Sequence, residues 1–156
     1  MSDTAAESFV VRLGRDITDA MKAKDADTLS TLRMLKAALM EAQTKKSKEQ
    51  TLTRDEEMEI LQRYVKKRRE TIEEMRKLGR ADLVAAEERE IAVTQRYLPA
   101  MLSEDEVAAI VSETVARVGA ASPKDTGKVM GAVMAQVKGR ADGGMVSALV
   151  KKALGG

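Results

Sequence analysis

Apolar residues recur along this chain at intervals of three and four, a rhythm that predicts helices. Val10, Leu13, Ile17 and Ala20 predict a first helix over residues 4–24, capped by Ser2 or Asp3. Residues 25–27 make a turn. A second helix follows to about Lys46, with Leu32, Leu35, Leu39 and Ala42 on one face, and residues 45–51 form an exposed polar loop. Thr53, Arg54, Asp55 and Glu56 match a capping box, in which hydroxyl and carboxylate each satisfy the other residue's backbone N–H. The box opens a long third helix carrying Met58, Leu61, Val65, Ile72 and Met75, which Gly79 ends in a left-handed conformation. A fourth helix over 81–98 places Val84, Ile91 and Leu98 seven apart and stops before Pro99.

Residues 99–102 then read as a hinge. Ser103 to Glu106 repeat the capping-box pattern and open a helix through Val107, Val111, Val115 and Val118, closed by Gly119. Ser122 and Pro123 start a sixth helix, with proline at the first position, where its missing N–H costs least. It runs to about Lys138 and Gly139 ends it. Asp142 caps a short last helix lined by Val146, Leu149, Val150 and Ala153. The expected fold is all-α: an N-terminal antiparallel bundle of about four helices over residues 1–98, and a C-terminal three-helix subdomain over 103–156.

Composition strengthens this picture. Of 156 residues, 44% are hydrophobic, nearly all Leu, Val, Ala, Met and Ile, with one Phe, two Tyr and no Trp. No apolar run approaches the roughly 18 residues that a membrane span needs, and no secretory pattern opens the chain, so a cytoplasmic protein without membrane contact is expected. The net charge is +2, unevenly spread. Residues 1–118 hold 21 Lys/Arg against 23 Asp/Glu, a net of −2, whereas residues 119–156 hold 6 against 2, a net of +4. The C-terminal segment is therefore the expected contact for a polyanion.

Covalent chemistry finds little to work with. The absence of Cys removes disulfides, thiolate ligands and thiol nucleophiles, and the absence of His removes the commonest general base and nitrogen ligand. No cofactor, metal site or catalytic residue is expected. Glu87, Glu88 and Glu90, among Arg89 and Arg96, read as a solvated, salt-bridged face rather than a metal site. Gly127-Lys128 lacks the earlier glycine and strand of a phosphate loop.

Two basic features remain. Lys66, Lys67, Arg68 and Arg69 are consecutive, so a helix spreads them around its circumference, and they read as a solvated face with Glu70, Glu73 and Glu74 one turn on. Residues 124–140 are better organised. Val129, Met130, Val133, Met134 and Val137 share an apolar face, while Lys124, Lys128, Gly131 and Ala135 fall opposite. A mid-helix glycine costs about 1 kcal/mol relative to Ala, so Gly131 needs a compensating reason. Close approach of a sugar-phosphate chain supplies one; tight helix packing through Gly127 and Gly131 supplies the other. Lys138, Gly139 and Arg140 flank the next turn, where an Arg fork and backbone N–H groups can meet a phosphate, though a plain turn with surface charge also fits. Without aromatic residues, this surface suits folded RNA recognised by contour rather than splayed bases.

The stretch Thr28 to Ala38, the run Val65 to Glu70, Tyr97-Leu98-Pro99, and Gly127 to Gly131 followed by Lys138 to Gly143 together resemble the GatB/YqeY family over nearly the whole chain. That family is similar to the C-terminal tail of the B subunit of bacterial tRNA-dependent amidotransferase. The resemblance implies two helical parts, of which the smaller touches tRNA. The matching positions are Lys124, Lys128, Gly131, Lys138, Gly139 and Arg140. It also implies that carbon–nitrogen ligase activity stays with the full-length enzyme, whose catalytic parts this chain lacks.

The leading expectation is thus a non-catalytic module binding tRNA or another structured RNA. An adaptor docking on an amidotransferase or aminoacyl-tRNA synthetase, through the third and fourth helices, is the alternative. A DNA-binding helix-turn-helix is weaker, offering base edges only Ser147, Lys151 and Lys152. An amide-transferring enzyme comes last, for want of a nucleophile or metal site.

Overall fold

The structure, a computed structural model, describes residues 7–155. Within them the chain forms seven α-helices and no strand: α1 (Phe9–Lys22), α2 (Ala26–Thr44), α3 (Arg54–Lys77), α4 (Ala81–Gln95), α5 (Glu104–Val118), α6 (Thr126–Val137) and α7 (Gly143–Ala153). A 3₁₀ turn, Pro123–Asp125, precedes α6. The chain divides between Leu98 and Pro99 into two compact units.

In the first unit α2 packs against α1, α3 and α4, and α3 packs along α4. Its core is leucine-rich: Leu13, Leu35, Leu39 and Leu61 are fully buried, with Phe9, Leu32, Val93 and Tyr97 around them. Each such side chain contributes roughly 1.5–3 kcal/mol by leaving water. A smaller cluster of Val65, Ile72 and Ile91 joins α3 to α4. Thr53 and Glu56 form the expected capping box, and Gly79 takes the left-handed conformation with φ +68°.

α1 starts later than its periodicity predicts. The expected caps, Ser2 and Asp3, lie outside the described residues; Glu7 and Ser8 precede the helix, and Ser8 caps it. The reason is tertiary. Glu57 of α3, itself buried, accepts the Phe9 N–H at 2.7 Å, and the Arg54 guanidinium lies 4.1 Å from the Phe9 ring centre. α4 ends earlier than expected, at Gln95 rather than Leu98. Arg96, Tyr97 and Leu98 each donate to the carbonyl three residues back, a tightened end ahead of Pro99.

In the second unit α5, α6 and α7 pack pairwise around a valine core. Val107, Val111, Val129, Val133, Val137, Val146 and Val150 are all buried. Valine is a modest helix former, so packing rather than propensity holds these helices. Ser103 and Glu106 form the second capping box, and Gly119 closes α5 at φ +67°. The sixth helix differs from expectation at both ends. Pro123 opens the 3₁₀ turn rather than the α-helix, and Lys138 is already left-handed at φ 45°, so α6 ends at Val137, one residue before its predicted end.

Candidate nucleic-acid interface

α6 is the element that arranges the candidate residues. Val129, Val133 and Val137, four apart, pin one face of it into the core, and so fix which residues face outward. Lys128, Gly131 and Ala135 are exposed, as is Lys124 on the preceding 3₁₀ turn. Met134 departs from expectation: it is 36% exposed, because it lies at the rim of the stripe those valines define. A Cβ added at Gly127 or Gly131 would stand in open space. Tight helix packing within the unit therefore does not explain either glycine, and the outer face of α6 stays smooth and accessible.

The basic side chains have different local roles. Lys128 donates from Nζ to the Val118 carbonyl at 3.4 Å, where a cation suits the C-terminal end of α5. Lys138 and Gly139, both exposed and both left-handed, make the sharp turn from α6 toward α7. Arg140 is half-buried: its Nε donates to the Ala100 carbonyl at 3.0 Å, and its own carbonyl accepts from the Leu102 N–H at 2.7 Å. The structure thus places Lys138, Gly139 and Arg140 on one turn. Lys128 and Lys124 stand toward the other end of α6, about 15 Å away along the helix axis.

The segment's carboxylates are both occupied. Asp125 accepts the N–H groups of Ala121 and Ser122, and Asp142 accepts that of Met145 at the start of α7. Lys124, Lys128, Arg140, Lys151 and Lys152 make no ion pair among the described residues. The first unit is mixed: Lys66, Lys67, Arg69 and Lys77 make no ion pair among the described residues, but others are paired. There Lys46 meets Glu56 at 2.6 Å, Arg63 meets Glu59 at 3.0 Å, and Arg76 meets Glu73 and Glu88. A recess of about 380 Å³ between α2 and α3 is rimmed by such neutralised pairs and offers a polyanion no attraction.

One polar cluster was not visible as such in the sequence. Arg68 reaches Glu87 at 3.4 Å and Glu90 at 3.5 Å, and its guanidinium lies 4.8 Å from the Tyr64 ring centre. Glu87 and Glu90 are therefore not a solvated face paired with Arg89 and Arg96; they are half-buried partners of Arg68 across α3 and α4. Burial pushes the Glu90 carboxyl above its ordinary range, with Arg68 opposing. For Arg68 burial works against the charge, but Tyr64, Glu87 and Glu90 outweigh it and raise its pKa. The cluster ties α3 to α4. Tyr97 donates to Asp16 beneath the Arg12 guanidinium, and burial together with Asp16 raises the phenol's pKa.

Among the described residues no group of three acidic side chains is placed to hold a metal ion, and no helix is long and apolar enough to cross a membrane. A fungal protein from Pyrenophora tritici-repentis named "Altered inheritance of mitochondria protein 41, mitochondrial" is 31% identical over 160 residues, spanning 99% of this chain and 86% of its own length. An uncharacterised protein of Schizosaccharomyces pombe is 34% identical over 85 residues, 54% of this chain and 68% of its own. Neither name denotes an enzyme. Residues 10–154, encompassing both helical units and every candidate residue, match the family described as Yqey-like protein, and the chain belongs to that family.

Proposed function

We propose that this chain is a non-catalytic module that binds tRNA, or another structured RNA of similar contour, through the outer face of α6 and the turn that follows it. The supporting observation is the pairing pattern: Lys124, Lys128 and Arg140 make no ion pair among the described residues, beside a helix face that Gly131 keeps free of side-chain bulk. Unpaired cations beside an accessible backbone grip phosphates, and the bases go unread because no aromatic side chain stands there. The family resemblance to an amidotransferase tail supports tRNA as the RNA to try first.

The test is fluorescence-anisotropy titration of tRNA, an unstructured RNA and duplex DNA across a salt series. A preference for tRNA, lost in the folded Lys128→Glu, Arg140→Glu double variant, is expected. Equal and feeble binding to all three sinks the reading. A second reading, an adaptor docking on an amidotransferase or aminoacyl-tRNA synthetase, is favoured by Met34 and Met40, 41% and 51% exposed on either side of Ala37 on α2. Under that reading a purified partner enzyme forms a stable complex that ribonuclease leaves intact.

A further inference from the structure

We infer that the strap of residues 99–102 pre-orders Arg140 as a phosphate fork, so that RNA binding and fixation of the strap reinforce each other. The inference rests on the RNA-binding reading above and adds to it a positioning element outside the basic segment.

Two hydrogen bonds carry the argument, and they run in opposite directions between the same two pieces of chain. The Arg140 Nε donates to the Ala100 carbonyl at 3.0 Å, and the Arg140 carbonyl accepts from the Leu102 N–H at 2.7 Å. The second bond fixes the backbone from which the arginine springs; the first fixes the plane of its guanidinium. Arginine has five donors in a rigid planar fork, and Nε is the one consumed. Its two terminal nitrogens take no partner among the described residues. The edge they form is the one that binds a phosphate end-on with two parallel hydrogen bonds. A flexible arginine loses side-chain freedom when it takes up such a pose; one already held at Nε has lost much of it beforehand.

The position of the turn adds to this. Lys138 and Gly139, both left-handed, turn the chain sharply after Val137, and the Arg140 N–H bonds back to the Val137 carbonyl at 2.8 Å. Ala141 follows immediately and is buried in the valine core. Arg140 is thus held on both sides, by the core through its neighbour and by the strap through its side chain. Because the latched form is the one that binds phosphate with least loss of freedom, occupancy favours the latched form in return, as linkage requires. Ala100 is exposed and its side chain makes none of these contacts, so it can be varied without touching the phosphate-facing groups.

The experiment is a double-mutant cycle on tRNA affinity with Ala100→Gly and Arg140→Lys, alongside hydrogen exchange at the Leu102 amide by NMR in the unaltered chain. Glycine loosens the strap, and Ala100→Gly is expected to weaken tRNA binding about threefold. Its salt slope should not change, since no phosphate contact is removed. In the Arg140→Lys background, where Nε and its bond to Ala100 are absent, the same glycine should have no further effect. Leu102 exchange should slow on tRNA binding. Additive losses in the cycle, or Leu102 exchange that stays the same or quickens with tRNA bound, overturn the inference and leave RNA binding standing. Failure of the unaltered chain to bind tRNA overturns both. The exchange measurement needs no variant, so a folding defect in either mutant leaves it able to decide.

Discussion

Arg68 in the first unit and Lys128 in the second show two uses of positive charge. Arg68 lies on the core stripe of α3, meets two carboxylates and a tyrosine ring, and ties that helix to α4. Lys128 lies opposite the valine stripe of α6, touches one carbonyl at the end of α5, and makes no ion pair among the described residues. Lys46, Arg63 and Arg76 are likewise paired within the first unit, although Lys66, Lys67 and Arg69 there are not, and Lys124, Lys151 and Lys152 make no ion pair among the described residues. Arg68 thus supports the fold of the first unit, whereas Lys128 is available to something outside the second.

Substitutions put that contrast to the test. The largest effects belong to the cores. Leu35→Ala should cost about 3–4 kcal/mol and Val133→Ala about 2 kcal/mol, measured by urea unfolding. Next comes Arg68→Ala, which leaves Glu87 and Glu90 half-buried without their partner. Solvent at the cluster limits the loss to about 2 kcal/mol, and a loss below about 0.5 kcal/mol would erase the distinction drawn above.

Gly131 tests the other side. Gly131→Ala should stabilise the chain by up to about 1 kcal/mol, since the added methyl meets open space. Gly131→Leu should fold as well but bind tRNA more weakly; unchanged affinity would remove the case for close approach at that face. Lys124→Ala with Lys128→Ala should shift stability by no more than about 0.5 kcal/mol. The pair should also flatten the log–log salt slope for tRNA by about 1.5, if each lysine meets one phosphate.

The smallest effect is in pH. The Glu90 carboxyl is raised in the folded chain, mainly by burial, so the folded state holds its proton more readily than the unfolded state. Its contribution is present at low pH and fades as pH climbs above the ordinary carboxylate range. Glu56 has the opposite sign: Lys46 and the Thr53 N–H lower its pKa, and its contribution is lost as pH falls. Unfolding curves from pH 4 to 6 should therefore rise more steeply for Glu90→Gln than for the unaltered chain, and less steeply for Glu56→Gln.

The helices were legible because the devices that make them are local. Capping boxes at Thr53 and Ser103, left-handed glycines at 79 and 119 and stripes such as Leu32-Leu35-Leu39 all act within a few residues. The start of α1 was not, because the Glu57 carboxylate that meets Phe9 N–H comes from 48 residues away. A usable signal was present for the charged cluster. Glu57, Leu61, Val65, Arg68 and Ile72 are spaced four, four, three and four, so Glu57 and Arg68 fall on the core stripe of α3. Charge concealed that periodicity. For the basic segment, the sequence shows which residues lie outward on α6. It does not show that Arg140 is bound to residues 99–102, a link across 40 positions.

The aromatic residues allow the two units to be observed separately. Phe9, Tyr64 and Tyr97 all lie in the first unit, each against a guanidinium group, at 4.1, 4.8 and 4.4 Å respectively, and the chain has no tryptophan. Its near-ultraviolet absorbance and intrinsic emission thus report the first unit alone, and the second is optically silent. A single tryptophan introduced at exposed Ala135 would give the silent half its own signal, with tyrosine as an internal reference in the same cuvette.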